Sequence, residues 1–165
     1  MVVFSMLGAI MFASKLITEL LPNIHLLGMF TMAFTLVFKV KALLPIYTFV
    51  AITGIYAGFS FWWIPYLYVW AVLWLFTMLL PKNMPTKIKA IVYPLVCALH
   101  GFLYGTLYAP AQALMFGLDF SATVAWIIAG LPFDLIHGIS NLIVGTLILP
   151  FSRLLSRLYR AHRQA

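Results

Sequence analysis

Apolar residues run through this chain in long blocks, and each block stops at proline, glycine or paired basic residues. A helix needs roughly 20 apolar residues to cross a hydrocarbon core of about 30 Å, and six such segments fit. The first covers about residues 2–21 and ends at Pro22-Asn23; the second runs from about 24 to 39 and ends at Lys39/Lys41. The third covers about 42–58 and turns at Gly58-Phe59-Ser60; the fourth returns over about 62–80 and stops at Pro81 with Lys82. The fifth covers about 88–108. Ala109 to Gly130 contains Pro110, Gln112, Gly117, Asp119 and Ser121, and reads as an external loop with a short interfacial or re-entrant helix. A last helix is expected to begin near Pro132, a residue suited to a first helical turn, and to descend past Leu149. The pattern predicts an all-α integral membrane protein of six transmembrane helices, in one domain over 1–165.

Charge gives this pattern a direction. Nine of the ten Lys and Arg residues fall in three clusters: Lys39/Lys41, Lys82/Lys87/Lys89 and Arg153/Arg157/Arg160/Arg163. Cytoplasmic loops retain basic residues, so the clusters predict cytoplasmic N- and C-termini and external bends between them. With 65% hydrophobic and 8% charged residues and a mean hydropathy of +1.09, the chain has no use for a soluble core. The net charge of +7 sits at span ends, where it meets anionic headgroups of the lipid bilayer; no nucleic-acid partner is expected. Cys97 is the only cysteine, so no intramolecular disulfide can form. The first segment lacks a basic leader, carries Lys15 and Glu19, and reads as a retained helix.

Against this apolar background, a few polar residues stand out. Asp134, His137 and Asn141 fall within about a 60° arc of one helix face, near Gly130, Gly138 and Gly145. Charge at mid-span costs on the order of 3 kcal/mol, so this face looks inward, as a ligand site or as a polar network locking helices together. The fifth segment carries a matching stripe, Tyr93, Cys97, His100, Tyr104 and Tyr108, flanked by Gly101 and Gly105. Its hydrogen-bonding power rises toward the outside, as in a helix lining an external pocket; a satisfied core histidine and an interfacial aromatic belt are the plainer readings. Lys15 and Glu19 stand one turn apart and can pair with each other or serve a ligand. Ala9 and Ala13 form a small-xxx-small face about 120° around the same helix. Asn23 and His25 occupy the first external turn. Of the stripe Trp63, Tyr66, Trp70 and Trp74, Trp63 is the candidate for ligand contact, and Trp126 could cap a planar ligand by stacking. Arg153, Arg157 and Arg160 share a face opposite Leu154, Leu155 and Leu158, an amphipathic end anchored on headgroups.

No phosphate-binding loop, zinc-protease helix, nucleophile elbow or paired cysteine motif is present, so the chain encodes no ATPase and no familiar hydrolase. Neither a cofactor nor a metal site is expected. Four segments carry a resemblance: Ala9-Ile10-Met11-Phe12-Ala13, Leu21-Pro22-Asn23-Ile24, His100-Gly101-Phe102-Leu103-Tyr104-Gly105, and Leu131-Pro132-Phe133-Asp134-Leu135-Ile136-His137-Gly138. The chain resembles, over nearly its whole length, the substrate-specific S components of bacterial energy-coupling factor (ECF) vitamin transporters. The resemblance implies a multi-pass protein of the bacterial plasma membrane that captures a small vitamin-like or heterocyclic solute from outside. It implies as partners an ECF T transmembrane protein, packed on Ala9 and Ala13, and two cytoplasmic ATPase subunits. It places Asp134 and His137 where riboflavin-specific members have a similar Asn and Lys beside the ligand. A carboxylate and a titratable imidazole there change the preferred ligand charge and argue against riboflavin. His100 resembles, more loosely, a fifth-helix histidine of thiamine-specific members. Val2 follows Met1, where nickel and cobalt members need histidine. Two other readings remain open at this point: a membrane scaffold with polar packing glue, and an intramembrane acid–base enzyme using Asp134, His100 and His137.

Overall fold

The computed structural model describes residues 2–21 and 24–164, with side chains through residue 161; Asn23 lies outside the described residues. Among these the chain is helical throughout, without a strand. The α-helices are α1 (Val2–Thr18), α2 (Leu27–Phe38), α3 (Leu43–Ala57), α4 (Tyr66–Leu79), α5 (Thr86–Phe102), α6 (Tyr104–Phe116), α7 (Phe120–Gly145) and α8 (Ile148–Gln164). Short 3-10 turns occupy Lys39–Ala42 and Phe61–Trp63. Four helical runs are long and apolar enough to cross a membrane: Leu27–Ala57, Phe61–Leu79, Thr86–Phe116 and Phe120–Gly145. This is the build of a multi-pass membrane protein, since in lipid every backbone group must be satisfied within the segment that carries it.

Side-chain contacts fix the direction of each element. Phe4 of α1 packs edge-on against Phe38 at the close of α2, while Phe12 packs against Tyr56 at the close of α3. Thus α1 and α3 run one way and α2 runs the other. Tyr47 donates to the Leu67 carbonyl and Trp74 Nε1 to that of Lys39, turning α4 back along α3. Tyr68 donates to the Leu107 carbonyl, which sets α5 and α6 antiparallel to α4. Finally, Phe151 meets Phe30 and Tyr159 meets Phe38, so α8 runs parallel to α2. One end of the bundle collects Lys39–Ala42, the α4–α5 loop and the distal half of α8; it is the basic end. The opposite end collects the α1–α2 loop, Gly58–Ser60 and the α6–α7 turn.

At the centre is α2, ten of whose twelve residues are buried. Its sequence is apolar or small on every side, the composition of a helix surrounded by others. Phe34, Met32, Phe49, Ile46, Met11 and Leu73 make the densest part of the core around it.

A second tight contact is the seam between α5–α6 and α7, where Gly138 lies against Gly101, Asn141 against Cys97 and Gly145 against Pro94. A Cβ at Gly101 would stand 2.8 Å from the His137 carbonyl, and one at Gly145 would stand 2.7 Å from Pro94 Cα. Glycines spaced by four and seven residues let the backbones meet, the usual device where lipid supplies no hydrophobic drive for helix association.

The segment 109–130 is not an external loop. Helix α6 extends through Pro110 to Phe116, and α7 begins at Phe120, twelve residues before Pro132, which lies inside it. The connection is Gly117-Leu118-Asp119: Gly117 takes φ +63, and the Asp119 carboxylate accepts from Ala122 N at 2.7 Å as the cap of α7. Trp126 accordingly sits on a helix. Prolines that would end a helix in water are tolerated in apolar helices whose neighbours satisfy the freed carbonyls.

Candidate functional site

The helix register that joins α5–α6 to α7 also assembles the polar residues. At Leu103 the helical path breaks, so α6 starts with unpaired N–H groups in its first turn. Gly105 N donates to both oxygens of Asp134, at 2.9 and 3.1 Å. A carboxylate from α7 thereby caps α6, where the helix dipole favours negative charge. The fit depends on glycine, because a Cβ at position 105 would lie 2.6 Å from an Asp134 oxygen. One helical turn further, His137 is buried and its Nε2 lies 2.9 Å from Nε2 of His25, in the α1–α2 loop; one of the two rings must donate and the other accept. Asn141, the third member of the face, donates to the Cys97 carbonyl at 3.2 Å.

His100 is fully buried, and its Nε2 donates to the Val69 carbonyl at 3.0 Å. Around it an aromatic chain runs toward the end opposite the basic one. Trp70 stands 5.8 Å from the His100 ring, Tyr104 stands 4.9 Å from the His137 ring, and Tyr108 lies beyond Tyr104. Trp126 stacks on Tyr108 with planes 20° apart, and Tyr108 donates its hydroxyl to the Trp62 carbonyl. The structure therefore brings Asp134, His137, Asn141, His100, Tyr104 and Trp126 into one cluster. Four polar atoms in the protein are buried without a hydrogen-bond partner among the described residues, and three of them, His137 Nδ1, Trp70 Nε1 and Ser140 Oγ, belong to this cluster or its edge. A buried polar atom without a partner costs on the order of 1–3 kcal/mol.

Lys15 and Glu19 form an ion pair at 3.2 Å on α1. Lys15 nevertheless reaches the cluster through its field. Burial holds the His25 imidazole below its ordinary pKa, a hydrogen bond at the Ile24 backbone pulls it partly back, and the Lys15 charge lowers it again. Trp63 stands apart: its Nε1 donates to the Val50 carbonyl at 2.8 Å and its ring packs on Phe59 and Gly54. Ala9 and Ala13 are both exposed, while the neighbouring Gly8 faces Thr48 and Pro45 of α3.

Three members of the cluster fall outside the residues the sequence singles out as ligand contacts: His25, Tyr66 and Trp70. Tyr66 and Trp70 are one turn apart on α4, and Trp70 packs on both His100 and Tyr104. Their spacing on the buried side of α4 was the available signal; Trp63, three residues before Tyr66, lies in the 3-10 turn, off that helix. Among the described residues no group of three or more His, Cys, Asp or Glu side chains is arranged to hold a metal ion. Comparison of the chain with family models, curated proteins and solved structures finds no match.

Proposed function

We propose that this chain is the substrate-specific S component of an ECF-type transporter of the bacterial plasma membrane, with six spans and both termini cytoplasmic. It captures a small heterocyclic, vitamin-like solute from outside and delivers it inward when coupled to a T protein driven by two ATPases. The observation that carries this reading is the cluster itself: residues of α4, α5, α6, α7 and the α1–α2 loop converge at the end opposite the basic one, with partnerless His137 Nδ1 and Trp70 Nε1 in their midst. Imidazole, phenol and indole groups offer stacking faces and hydrogen bonds together, the combination a planar heterocycle needs. Basic residues at the far end support the orientation, through retention of Lys and Arg on the cytoplasmic side. The exposed Ala9 and Ala13 support a partner-facing side of α1.

A membrane scaffold is the second reading, favoured by the Asp134–Gly105 and Asn141–Cys97 hydrogen bonds, which are complete within the chain. The solute that co-purifies with the detergent-solubilised protein, identified by mass spectrometry, separates the two. With that solute as probe, Ala9→Trp and Ala13→Trp should leave binding nearly intact and abolish uptake by the assembled transporter. Loss of binding and membrane expression together would make this face internal core and remove the coupling role. Absence of any co-purifying solute would leave the scaffold.

A further inference from the structure

At the basic end, the close of α2, the end of α4, the start of α5 and one face of α8 enclose a cavity of about 790 Å³. Six cationic side chains line it: Lys39, Lys82, Lys89, Arg153, Arg157 and Arg160. Among the described residues no acidic side chain joins them. The chain has only three acidic residues, and each is engaged elsewhere: Glu19 with Lys15, Asp119 at the start of α7, and Asp134 on Gly105. Lys39 is near enough to Lys82 and Lys89 to feel both charges. Five of the six are solvent-exposed and Lys89 is half-buried, yet like charges gathered around one half-open space repel one another, and among the described residues no acidic side chain offsets that repulsion.

The fold nonetheless holds these groups in place. Arg153 donates to Thr86 Oγ1 at 3.1 Å, joining α8 to the start of α5, and Arg160 Nε donates to the Ser156 carbonyl. Lys39 takes φ +57, the one positive φ among the described non-glycine residues, a conformation of measurable cost to any residue with a Cβ. Ser152, Ser156 and Tyr93 add hydroxyl groups to the wall, and Leu36, Val37 and Leu149 give it an apolar side. Guanidinium forks and hydroxyls match phosphate oxygens, and a single phosphate would engage only two or three of the six cations.

We propose that this cavity is a binding site for an anion carrying two phosphate groups, supplied either by a phospholipid headgroup entering from the bilayer or by a soluble diphosphate. The site is separate from the polar cluster and does not depend on the transport reading.

The test uses the full chain in phosphatidylcholine nanodiscs, with tryptophan emission as the signal, since the Trp74 indole donates to the Lys39 carbonyl. Tetraoleoyl cardiolipin is incorporated in one arm, and inorganic pyrophosphate is added to the bath in the other. At least one probe should bind saturably, and Lys39→Gln/Arg157→Gln should weaken it at least about tenfold. Lys41→Gln/Lys87→Gln removes the same charge from exposed positions outside the cavity and should weaken it less than about threefold. Saturation by cardiolipin alone assigns the lipid source, saturation by pyrophosphate alone the soluble one, and saturation by both supports the shared chemistry. Should the double variant fail to insert, Arg157→Gln alone carries the same comparison. Saturation by neither probe, or equal weakening by the two charge pairs, would overturn the proposal.

Discussion

Where α6 meets α7, Asp134 lies against the Gly105 N–H and Asn141 against the Cys97 carbonyl, and the glycines of both helices bring the backbones together. Where α4, α5 and α8 meet, six cations surround a cavity that no acidic side chain enters. Both regions place polar chemistry in an apolar protein, yet one is closed by its own backbone and the other stays electrostatically incomplete. The first contributes to stability as well as to any binding. In the second, beyond the Arg153–Thr86 hydrogen bond, the cations repel one another and contribute by what they bind.

Substitutions should therefore act in opposite directions at the two ends. The largest effect is expected in the glycine seam: Gly101→Ala should destabilise the protein by about 1–3 kcal/mol, since the new methyl meets the His137 carbonyl and Gly138 Cα. Gly130→Ala on the same α7, with no atom within 4 Å of the new Cβ, should be neutral or stabilising by up to about 1 kcal/mol. Thermal unfolding in detergent compares them, and equal losses would dissolve the seam. Asp134→Ala should cost a similar or slightly smaller amount, about 1–3 kcal/mol, by leaving the Gly105 N–H buried without an acceptor, whereas Arg157→Gln in anion-free buffer should change stability by no more than about 0.5 kcal/mol and in the stabilising direction. A destabilised Arg157→Gln would show the basic end to be internally paired after all. The smallest effect concerns pH. With its pKa held below the unfolded value, His25 binds fewer protons folded than unfolded, so its contribution is complete above about pH 6.5 and is lost as pH falls toward the folded pKa. His25→Gln should flatten that part of the stability–pH curve; an unchanged slope would detach His25 from the α1–α2 loop's docking.

Much of this arrangement is legible in the sequence, because helix periodicity is a reliable guide to which residues share a face. The 134/137/141 and 97/100/104 stripes do meet, and the turns at Lys39–Ala42, Gly58–Ser60 and Pro81 stand where charge and glycine mark them. Other features depend on chemistry that periodicity does not carry. Pro110 reads as part of a loop and Pro132 as the first turn of a helix because the cost of an interior proline is judged in water; within the bundle α6 and α7 continue through them. The pairing of His25 with His137 joins residues with no local relation, and the choice of Trp70 over Trp63 follows from how the 3-10 turn Phe61–Trp63 swings one indole toward α3. Lys39, Lys82 and Lys89 mark an inside surface in sequence, and only the return of α8 beside α2 turns that surface into a cavity.

The central claim is that the polar cluster binds a solute. Calorimetry with the co-purified solute, on the wild-type chain and on His137→Gln, tests it most directly. The substitution keeps size and much of the hydrogen-bonding reach while removing the ring that faces Tyr104 and His25. Loss of a hydrogen bond to a charged or strongly polar group is worth roughly 1.5–3 kcal/mol, so affinity should fall by about ten- to more than a hundred-fold while the protein remains folded and inserted. An unchanged affinity in a folded His137→Gln variant would contradict the account and leave the cluster as packing between helices.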